Sequence, residues 1–233
     1  MTDGRAARAA ARALPVSVVL FDLDGTLADT AGDLAGAVNR VRADRGLPPV
    51  PVTQLRAHAS SGARGLIGAG MGVAPNDAGY AELRDAFLAY YATELAVTTR
   101  LFDGIPELLE ALEARWIRWG VVTNKAERFT TPVLAALGLA RRAAVVVSGD
   151  TTAFAKPHPG PLLHAATALG ATVESCVYVG DDLRDVQAGS AAGMATIVAE
   201  YGYLGDGGQC RDWPATGWIA TPEELLDWLP PKP

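Results

Sequence analysis

Cysteine and lysine are scarce in this sequence. Its 233 residues include two cysteines, Cys176 and Cys210, and this number and spacing exclude a cysteine metal motif and a disulfide-stabilised secreted scaffold. We expect Cys176 to lie in a buried strand. Three lysines, Lys125, Lys156 and Lys232, stand against seventeen arginines. In so arginine-rich a chain, we expect a retained lysine to have a specific role.

Long apolar runs and clusters of positive charge are also missing. No run reaches the roughly 18 apolar residues of a transmembrane helix, and residues 1–12 lack the apolar core of a signal peptide. The formal net charge of −6 argues against a nucleic-acid partner, because phosphates call for a basic patch. The sequence therefore predicts a cytoplasmic protein without a membrane or nucleic-acid partner, in which residues 1–14 form a disordered tail.

The order of apolar segments predicts an α/β fold with a doubly wound parallel sheet. Buried strands alternate with amphipathic helices along most of the chain. We predict strands in the apolar run from Val18 and over residues 119–124, 144–148, 175–179 and 196–198, and a terminal helix from Thr221. We expect the tryptophans that flank the second strand, Trp116 and Trp119, to pack in the core.

One connection is far too long for a simple crossover between parallel strands. Such a crossover needs only a dozen or more residues, whereas the crossover helix after the first strand begins only near Phe102. The intervening sequence has helical periodicity after Thr30 and again between Asp77 and Leu95. We predict that residues 29–100 form an inserted helical cap and that residues 15–28 and 101–233 form the core.

Polar residues follow four of the predicted segments. They are Asp22 with Asp24, Thr123 with Asn124, Lys156, and Asp181 with Asp182 and Asp185. Each group alone is also compatible with a turn or a helix start. The carboxyl ends of parallel strands share one edge of a sheet, and carboxylates gathered there need a cation. Oxygen ligands suit Mg²⁺, and the lysine, hydroxyl and amide can bind phosphoryl oxygens. The pattern indicates phosphoryl transfer.

These motifs, in this order, resemble those of the haloacid-dehalogenase-like phosphatases. The first is Phe-Asp-Leu-Asp-Gly-Thr-Leu at residues 21–27. The resemblance implies a Rossmann-like core, with Asp22 as the nucleophile that forms an aspartyl-phosphate and Asp24 as the acid and then the base. It also implies Mg²⁺ bound by Asp22, Asp181 and the Asp24 carbonyl, with Asp182 and Asp185 in support. For Asp185, orienting Lys156, orienting a metal-bound water and capping the next helix all remain open.

Within that superfamily the chain most resembles phosphoglycolate phosphatase-like enzymes. Residues 42–49, 119–125 and 180–185 look like those of bacterial N-acetylmuramic acid 6-phosphate phosphatases of peptidoglycan recycling. Both substrates combine a phosphomonoester with a carboxylate. We expect the cap loop from Ser60 to Gly65 to select the leaving group and Arg64 to bind its carboxylate. The alternative for Arg64 is an exposed side chain near a helix start.

Single residues argue against two other functions of this superfamily and leave two further functions open. A dehalogenase has no need for Asp24, and a phosphonate hydrolase of this superfamily would use a cap lysine, which residues 30–100 lack. A sugar-phosphate mutase would keep all the motifs and remains open, as does a non-catalytic phosphate-binding regulatory module. The resemblance implies a small-molecule phosphomonoester partner, a role in carbohydrate metabolism, and a monomer or homodimer.

Overall fold

The computed structural model describes residues 14–205 and 208–231. Its strands, in chain order, are β1 (Val18–Phe21), β2 (Ala28–Asp29), β3 (Arg100–Leu101), β4 (Arg118–Val122), β5 (Val146–Val147), β6 (Cys176–Gly180), β7 (Ala195–Ala199) and β8 (Gly217–Ile219). Six of them form one parallel sheet in the order β5-β4-β1-β6-β7-β8, and β2 pairs with β3 in a separate antiparallel ribbon. The predicted doubly wound parallel sheet is confirmed.

Helices cover the sheet and fill the long insertion. They are α1 (Ala31–Ala43), α2 (Val52–Leu55), α3 (Gly62–Met71), α4 (Tyr80–Thr93), α5 (Ile105–Glu113), α6 (Glu127–Ala136), α7 (Gly160–Ala168) and α8 (Leu183–Ala192), with 3₁₀ helices at Arg56–Ser61, Val173–Ser175, Cys210–Asp212 and Pro222–Trp228. The first four α-helices form the cap, as predicted. In the described residues, no helix is both long and apolar enough to cross a membrane.

The central strand β1 is buried on both faces. Val19 and Phe21 belong to one apolar cluster and Val18 and Leu20 to another, as the two-residue alternation of a strand requires. Phe21 is in register with a residue of β4 on one side and of β6 on the other. Because the three strands are aligned, the residues that follow them lie at the same edge of the sheet.

The cap has an apolar core of its own, which also includes two side chains from the core domain. Helices α1 and α4 pack together, and Phe129 from α6 and Tyr203 from the loop after β7 join their cluster. The ribbon of β2 and β3 lies at the two ends of the segment predicted as the cap. The cap is therefore joined to the core by a short ribbon and by buried aromatic contacts.

Several local predictions need correction. Strand β5 is limited to Val146–Val147, and the terminal helix is a 3₁₀ segment rather than an α-helix. Strand β8 was not predicted, because three residues give too little periodicity to recognise. Trp119 and Cys176 are buried as expected, but Trp116 is 88% exposed. Its left-handed backbone, with φ of 58°, follows the end of α5. Residues 1–13, most of the predicted tail, lie outside the described residues.

Candidate active site

The side chains of the two aspartates after β1 do not share one lysine. The strand ends at Phe21, and the chain enters a tight turn in which the carbonyl of Leu23 accepts hydrogen bonds from the amides of Leu27 and Ala28. The condition for Asp22 and Asp24 to lie on one strand face is therefore not met. Each carboxylate binds a different lysine.

The buried carboxylate of Asp22 is held through one oxygen. Oδ1 accepts a hydrogen bond from the Leu23 amide at 2.7 Å and lies 3.0 Å from Nζ of Lys156. Oδ2 accepts no hydrogen bond from the described residues. Burial raises the pKa of Asp22 to about 6, opposed by the charge of Lys156.

Lys156 lies at the centre of a buried polar network. Its Nζ donates to Asp185 Oδ1 and the Tyr178 hydroxyl, both at 2.7 Å, and to the Val122 carbonyl at 3.1 Å, and it forms an ion pair with Asp22. Burial would lower the pKa of Lys156, but the charges of Asp185 and Asp22 outweigh it and raise that pKa. This lysine therefore stays charged and links two carboxylates.

Both residues after β4 help to build the site. Asn124 donates from Nδ2 to the Lys156 carbonyl and accepts from the Lys156 amide through Oδ1, both at 2.9 Å. Its amide thus fixes the backbone of Lys156, which the sequence alone did not indicate. Thr123 accepts a hydrogen bond from the amide of Lys125 at 3.2 Å. Its own hydroxyl proton is left to donate into the cavity.

Asp181 is fully buried beyond the end of β6. Thr26 Oγ1 donates to its Oδ1 at 2.8 Å, and its Oδ2 accepts from the Tyr203 amide at 2.9 Å and from Ser60 Oγ at 3.1 Å. Burial and the charges of Asp22 and Asp185 raise its pKa well above the usual range. Ser60 lies in the 3₁₀ helix Arg56–Ser61 of the cap and not in the predicted loop, and it contacts this carboxylate directly.

Two glycines leave room for that carboxylate. A Cβ at Gly25, where φ is +88°, would collide with the Asp181 carboxylate, and one at Gly202 would meet Asp181 from another side. Any larger residue at either position would displace Asp181. The turn after β1 and the loop after β7 therefore shape this part of the site together.

Asp182 and Asp185 form a capping box at the start of α8. Asp182 accepts from the Arg184 amide, and Asp185 Oδ2 accepts from the Asp182 amide at 3.0 Å. Burial would raise the pKa of Asp182, but bonds to the Arg184 guanidinium outweigh it and lower that pKa. Asp185 therefore both caps the helix and binds Lys156.

Three carboxylates meet closely enough to hold a metal ion. Oxygens of Asp22, Asp181 and Asp185 all lie within 4.8 Å of one another. Their nearest cation, Lys156, contacts only Asp22 and Asp185. Buried anions of this number need further positive charge, and an all-oxygen set fits a hard divalent cation. The cluster differs from the predicted side-chain ligands by including Asp185.

Asp24 is paired with Lys125, a residue missed as a site candidate. Nζ of Lys125 lies 2.9 and 3.1 Å from the two Asp24 oxygens, and Thr30 Oγ1 donates to Asp24 at 2.6 Å. Burial would lower the pKa of Lys125, but the negative charge of Asp24 outweighs it and raises that pKa. The scarcity of lysine was the available signal, because Lys125 directly follows Thr123 and Asn124.

A cavity of about 320 Å³ separates this polar floor from the cap. Its core side includes Asp22, Asp24 and Thr123, and its cap side is mostly apolar, with Leu34, Phe87, Leu88, Tyr91 and residues 59–63. Arg64 is exposed and is not among the lining residues. The arginines that line the cavity are Arg128 and Arg184, so Arg64 is not brought to the site in this structure.

Comparison with known proteins identifies the family of this chain. The haloacid dehalogenase-like hydrolase profile matches residues 19–199. An N-acetylmuramic acid 6-phosphate phosphatase from Pseudomonas aeruginosa is 42% identical over 214 residues, covering 92% of this chain and 95% of the relative. A phosphoglycolate phosphatase from Xanthomonas campestris is 44% identical, covering 91% and 95%.

Solved structures share the fold over nearly the whole length. A protein from Haemophilus somnus, described as a predicted phosphoglycolate phosphatase, has a TM-score of 0.79 at 26% identity and covers 91% of this chain and 97% of its own. A haloacid dehalogenase-like hydrolase from Streptococcus pneumoniae has a TM-score of 0.75 at 19% identity and covers 92% and 98%. The chain belongs to the haloacid dehalogenase-like hydrolase family.

Proposed function

We propose that this chain is a magnesium-dependent phosphomonoesterase that acts on a small phosphorylated acid or sugar acid through an aspartyl-phosphate. The observation that carries the proposal is the state of Asp22. This carboxylate is held through Oδ1 by Lys156 and the Leu23 amide, and Oδ2 accepts no hydrogen bond from the described residues. A fixed carboxylate with one unbound oxygen at a cavity floor is suited to nucleophilic attack.

The first half of the reaction transfers the phosphoryl group to Asp22. Oδ2 forms a bond to phosphorus while the bond from phosphorus to the substrate oxygen breaks. Asp24 gives a proton to that leaving oxygen, so the product departs as an alcohol. Lys125 then pairs with the carboxylate left on Asp24, which is the arrangement observed here.

The second half returns the enzyme to its starting state. Ionised Asp24 takes a proton from water as the water oxygen attacks phosphorus and the bond to Asp22 breaks. Inorganic phosphate and protonated Asp24 result. Lys156 and the Thr123 hydroxyl stabilise the phosphoryl oxygens in both halves. Mg²⁺, held by Asp22, Asp181 and Asp185 together with the predicted Asp24 carbonyl, would neutralise charge on the phosphoryl group.

The substrate class rests on the relatives and on the cavity. The two relatives named above act on N-acetylmuramic acid 6-phosphate and on phosphoglycolate, so we propose these two phosphomonoesters as candidates. The cavity volume of about 320 Å³ falls within the usual range for a small-molecule site. A cytoplasmic location, a role in peptidoglycan recycling and a monomeric or dimeric state belong to the same proposal.

Purified protein tests this mechanism directly. With Mg²⁺ we expect it to release phosphate from small phosphorylated acids and sugars, and a chelator should abolish the release until Mg²⁺ is restored. Asp22→Asn should lower kcat at least a thousandfold, roughly, because an amide is a poor nucleophile. Acid-quenched wild-type enzyme should carry a phosphoryl group in mass spectrometry, and the variant should not.

The control is Asp85→Asn, a change of the same type at an exposed cap position. It should leave turnover within about twofold of wild type. Asp22→Asn with turnover near wild type would contradict the mechanism. Release of an isomerised sugar phosphate, without free phosphate, would favour a mutase instead.

A further inference from the structure

Three cationic side chains line the cavity, and two of them already have carboxylate partners. Lys125 binds Asp24, and Arg184 binds both oxygens of Asp182 at 2.8 Å. Arg128 has no carboxylate within reach among the described residues; its guanidinium contacts an aromatic ring instead. Arg128 is thus the lining cation that can accept an anion from a ligand without breaking an existing ion pair.

The Arg128 guanidinium stacks on an aromatic ring. Its Cζ lies 4.6 Å from the centroid of the Phe129 ring, and that buried ring packs edge-to-face on Tyr91 at 5.3 Å. Stacking of this kind favours one orientation of the guanidinium and reduces the entropy lost on binding. Arg128 and Tyr91 therefore contact the same ring.

Tyr91 carries a polar group that lacks a partner. The residue is 2% exposed and lines the cavity, and its hydroxyl makes no hydrogen bond to any described residue. Buried hydroxyls without partners are rare because the loss of hydration is costly. A polar ligand atom in the cavity would satisfy this group. The observation is independent of the charge pairing around Arg128.

We propose that Arg128 and Tyr91 form the subsite for the leaving group. Arg128 pairs with a substrate carboxylate, and Tyr91 hydrogen-bonds a second polar group of the same molecule. The inference rests on the proposed function and narrows it: the preferred substrate is a phosphomonoester whose leaving group carries both a carboxylate and another hydrogen-bonding group. Arg64, the sequence-based candidate for the acid, lies outside this subsite.

A matched pair of substrates isolates the carboxylate. N-acetylmuramic acid 6-phosphate and N-acetylglucosamine 6-phosphate differ only in the lactyl ether that carries the acid. We expect wild-type enzyme to prefer the acidic sugar in kcat/KM. Arg128→Gln should lower this preference about tenfold or more, mainly through KM. Arg141→Gln, at an exposed arginine outside the cavity, is the control and should leave the preference unchanged.

Binding measurements keep the test independent of turnover. Calorimetry with Asp22→Asn enzyme and each sugar phosphate should give the same preference for the acid, and adding Arg128→Gln should remove it. If wild-type enzyme hydrolyses no phosphomonoester, the proposed function fails while this binding result still decides the subsite. The role of Arg128 is overturned if the Asp22→Asn protein shows no preference for the acidic sugar. It is also overturned if that preference survives Arg128→Gln, or if Arg64→Gln removes it.

The Tyr91 half of the subsite has its own test. Tyr91→Phe removes only the hydroxyl and should weaken binding of both sugar phosphates several-fold, by the same factor, because both carry the remaining polar groups. The preference for the acid should stay as in the parent protein. Unchanged binding of both sugars would remove Tyr91 from the subsite.

Discussion

The two sides of the cavity, the polar floor formed by the core and the mostly apolar wall formed by the cap, differ in how their polar groups are paired. On the core side, each buried carboxylate has partners within the protein: Lys156 binds Asp22 and Asp185, Lys125 binds Asp24, and hydrogen bonds hold Asp181. On the cap side, the surface is mostly apolar, and its most deeply buried hydroxyl, that of Tyr91, has no partner among the described residues. The floor is arranged in advance for one chemistry, whereas the wall leaves groups available for a ligand.

This difference agrees with the two tasks of the site. Phosphoryl transfer gains most from groups that are fixed before the substrate arrives. Recognition of a leaving group instead needs unsatisfied groups that the correct ligand completes. Substitutions on the floor should therefore change both stability and turnover, while substitutions on the wall should change selectivity and leave the fold intact.

The largest effect is expected when the floor loses its central cation. Lys156→Met leaves Asp22 and Asp185 buried without their lysine, so we expect a loss of about 3–5 kcal/mol in the free energy of unfolding and weaker inhibition by orthovanadate. Urea unfolding and inhibition assays measure these quantities. The control is Arg142→Met, which breaks a surface ion pair with Glu113 worth about 1 kcal/mol or less. Unchanged stability and inhibition would mean that the floor does not depend on Lys156.

The second lysine offers a sharper test of the floor. Lys125→Met deprives Asp24 of its cation but leaves the hydrogen bond from Thr30. We expect kcat to fall by a factor of about 10–100, the usual size of a disturbed acid–base step, with KM changed less. Lys125→Arg, which keeps the charge, should retain more activity. Equal losses in the two variants would show that side-chain shape, and not charge, matters here.

A buried carboxylate at the base of the cap supplies a smaller, pH-dependent effect on stability. Asp33 on α1 binds the amides and hydroxyls of Thr98 and Thr99 at 2.6–3.0 Å. Burial would raise the pKa of Asp33, but these hydrogen bonds outweigh it and lower that pKa. The ionised form therefore stabilises the fold fully above the unfolded pKa, near 4, and this contribution is lost as the pH falls through the folded pKa.

Asp33→Asn tests that linkage. We expect the variant to lose about 1–2 kcal/mol in the free energy of unfolding at pH 7, since part of its acceptor capacity is removed. Below about pH 4 the difference in the free energy of unfolding between the variant and wild type should disappear. Thermal unfolding between pH 3 and pH 8 measures it, with Asp85→Asn as the control. A gap that stays constant with pH would contradict the assigned ionisation.

The smallest effect on stability is expected at the wall. Tyr91→Phe removes a hydroxyl that has no partner, so the melting temperature of the ligand-free protein should stay the same or rise slightly. A clear fall in melting temperature would mean that this hydroxyl is satisfied within the protein. The wall would then resemble the floor, and the contrast between the two surfaces would fail.

Much of the floor was predictable because its residues are local to strand ends. The apolar run before Asp22 predicts a buried strand, and parallel strands end at a common edge. That rule alone brings Asp22, Thr123 and Asp181 close together, as the register of β1 with β4 and β6 allows. The sequence also indicated the cap, since 29–100 is too long for a crossover.

The pairing of charges was not predictable in the same way. The turn at Leu23 separates Asp22 from Asp24, and only the packed structure assigns one lysine to each. Asp185 likewise has two contacts at once, a capping bond to Asp182 and an ion pair with Lys156. Sequence spacing left these roles open, because i to i+3 spacing is compatible with either contact.

The sequence by itself determined the parallel α/β core with its inserted helical cap, and it placed Asp22, Thr123 and Asp181 at strand ends, because hydrophobic periodicity and strand ends are local properties of the chain. Tertiary structure alone decided which surface of the cap faces that floor. Arg64 and Arg128 look alike in sequence and both are exposed to solvent, yet Arg128 lines the cavity beside Phe129 and Arg64 does not. Which arginine faces the cavity depends on how the cap packs against the core, and no short stretch of sequence encodes that contact.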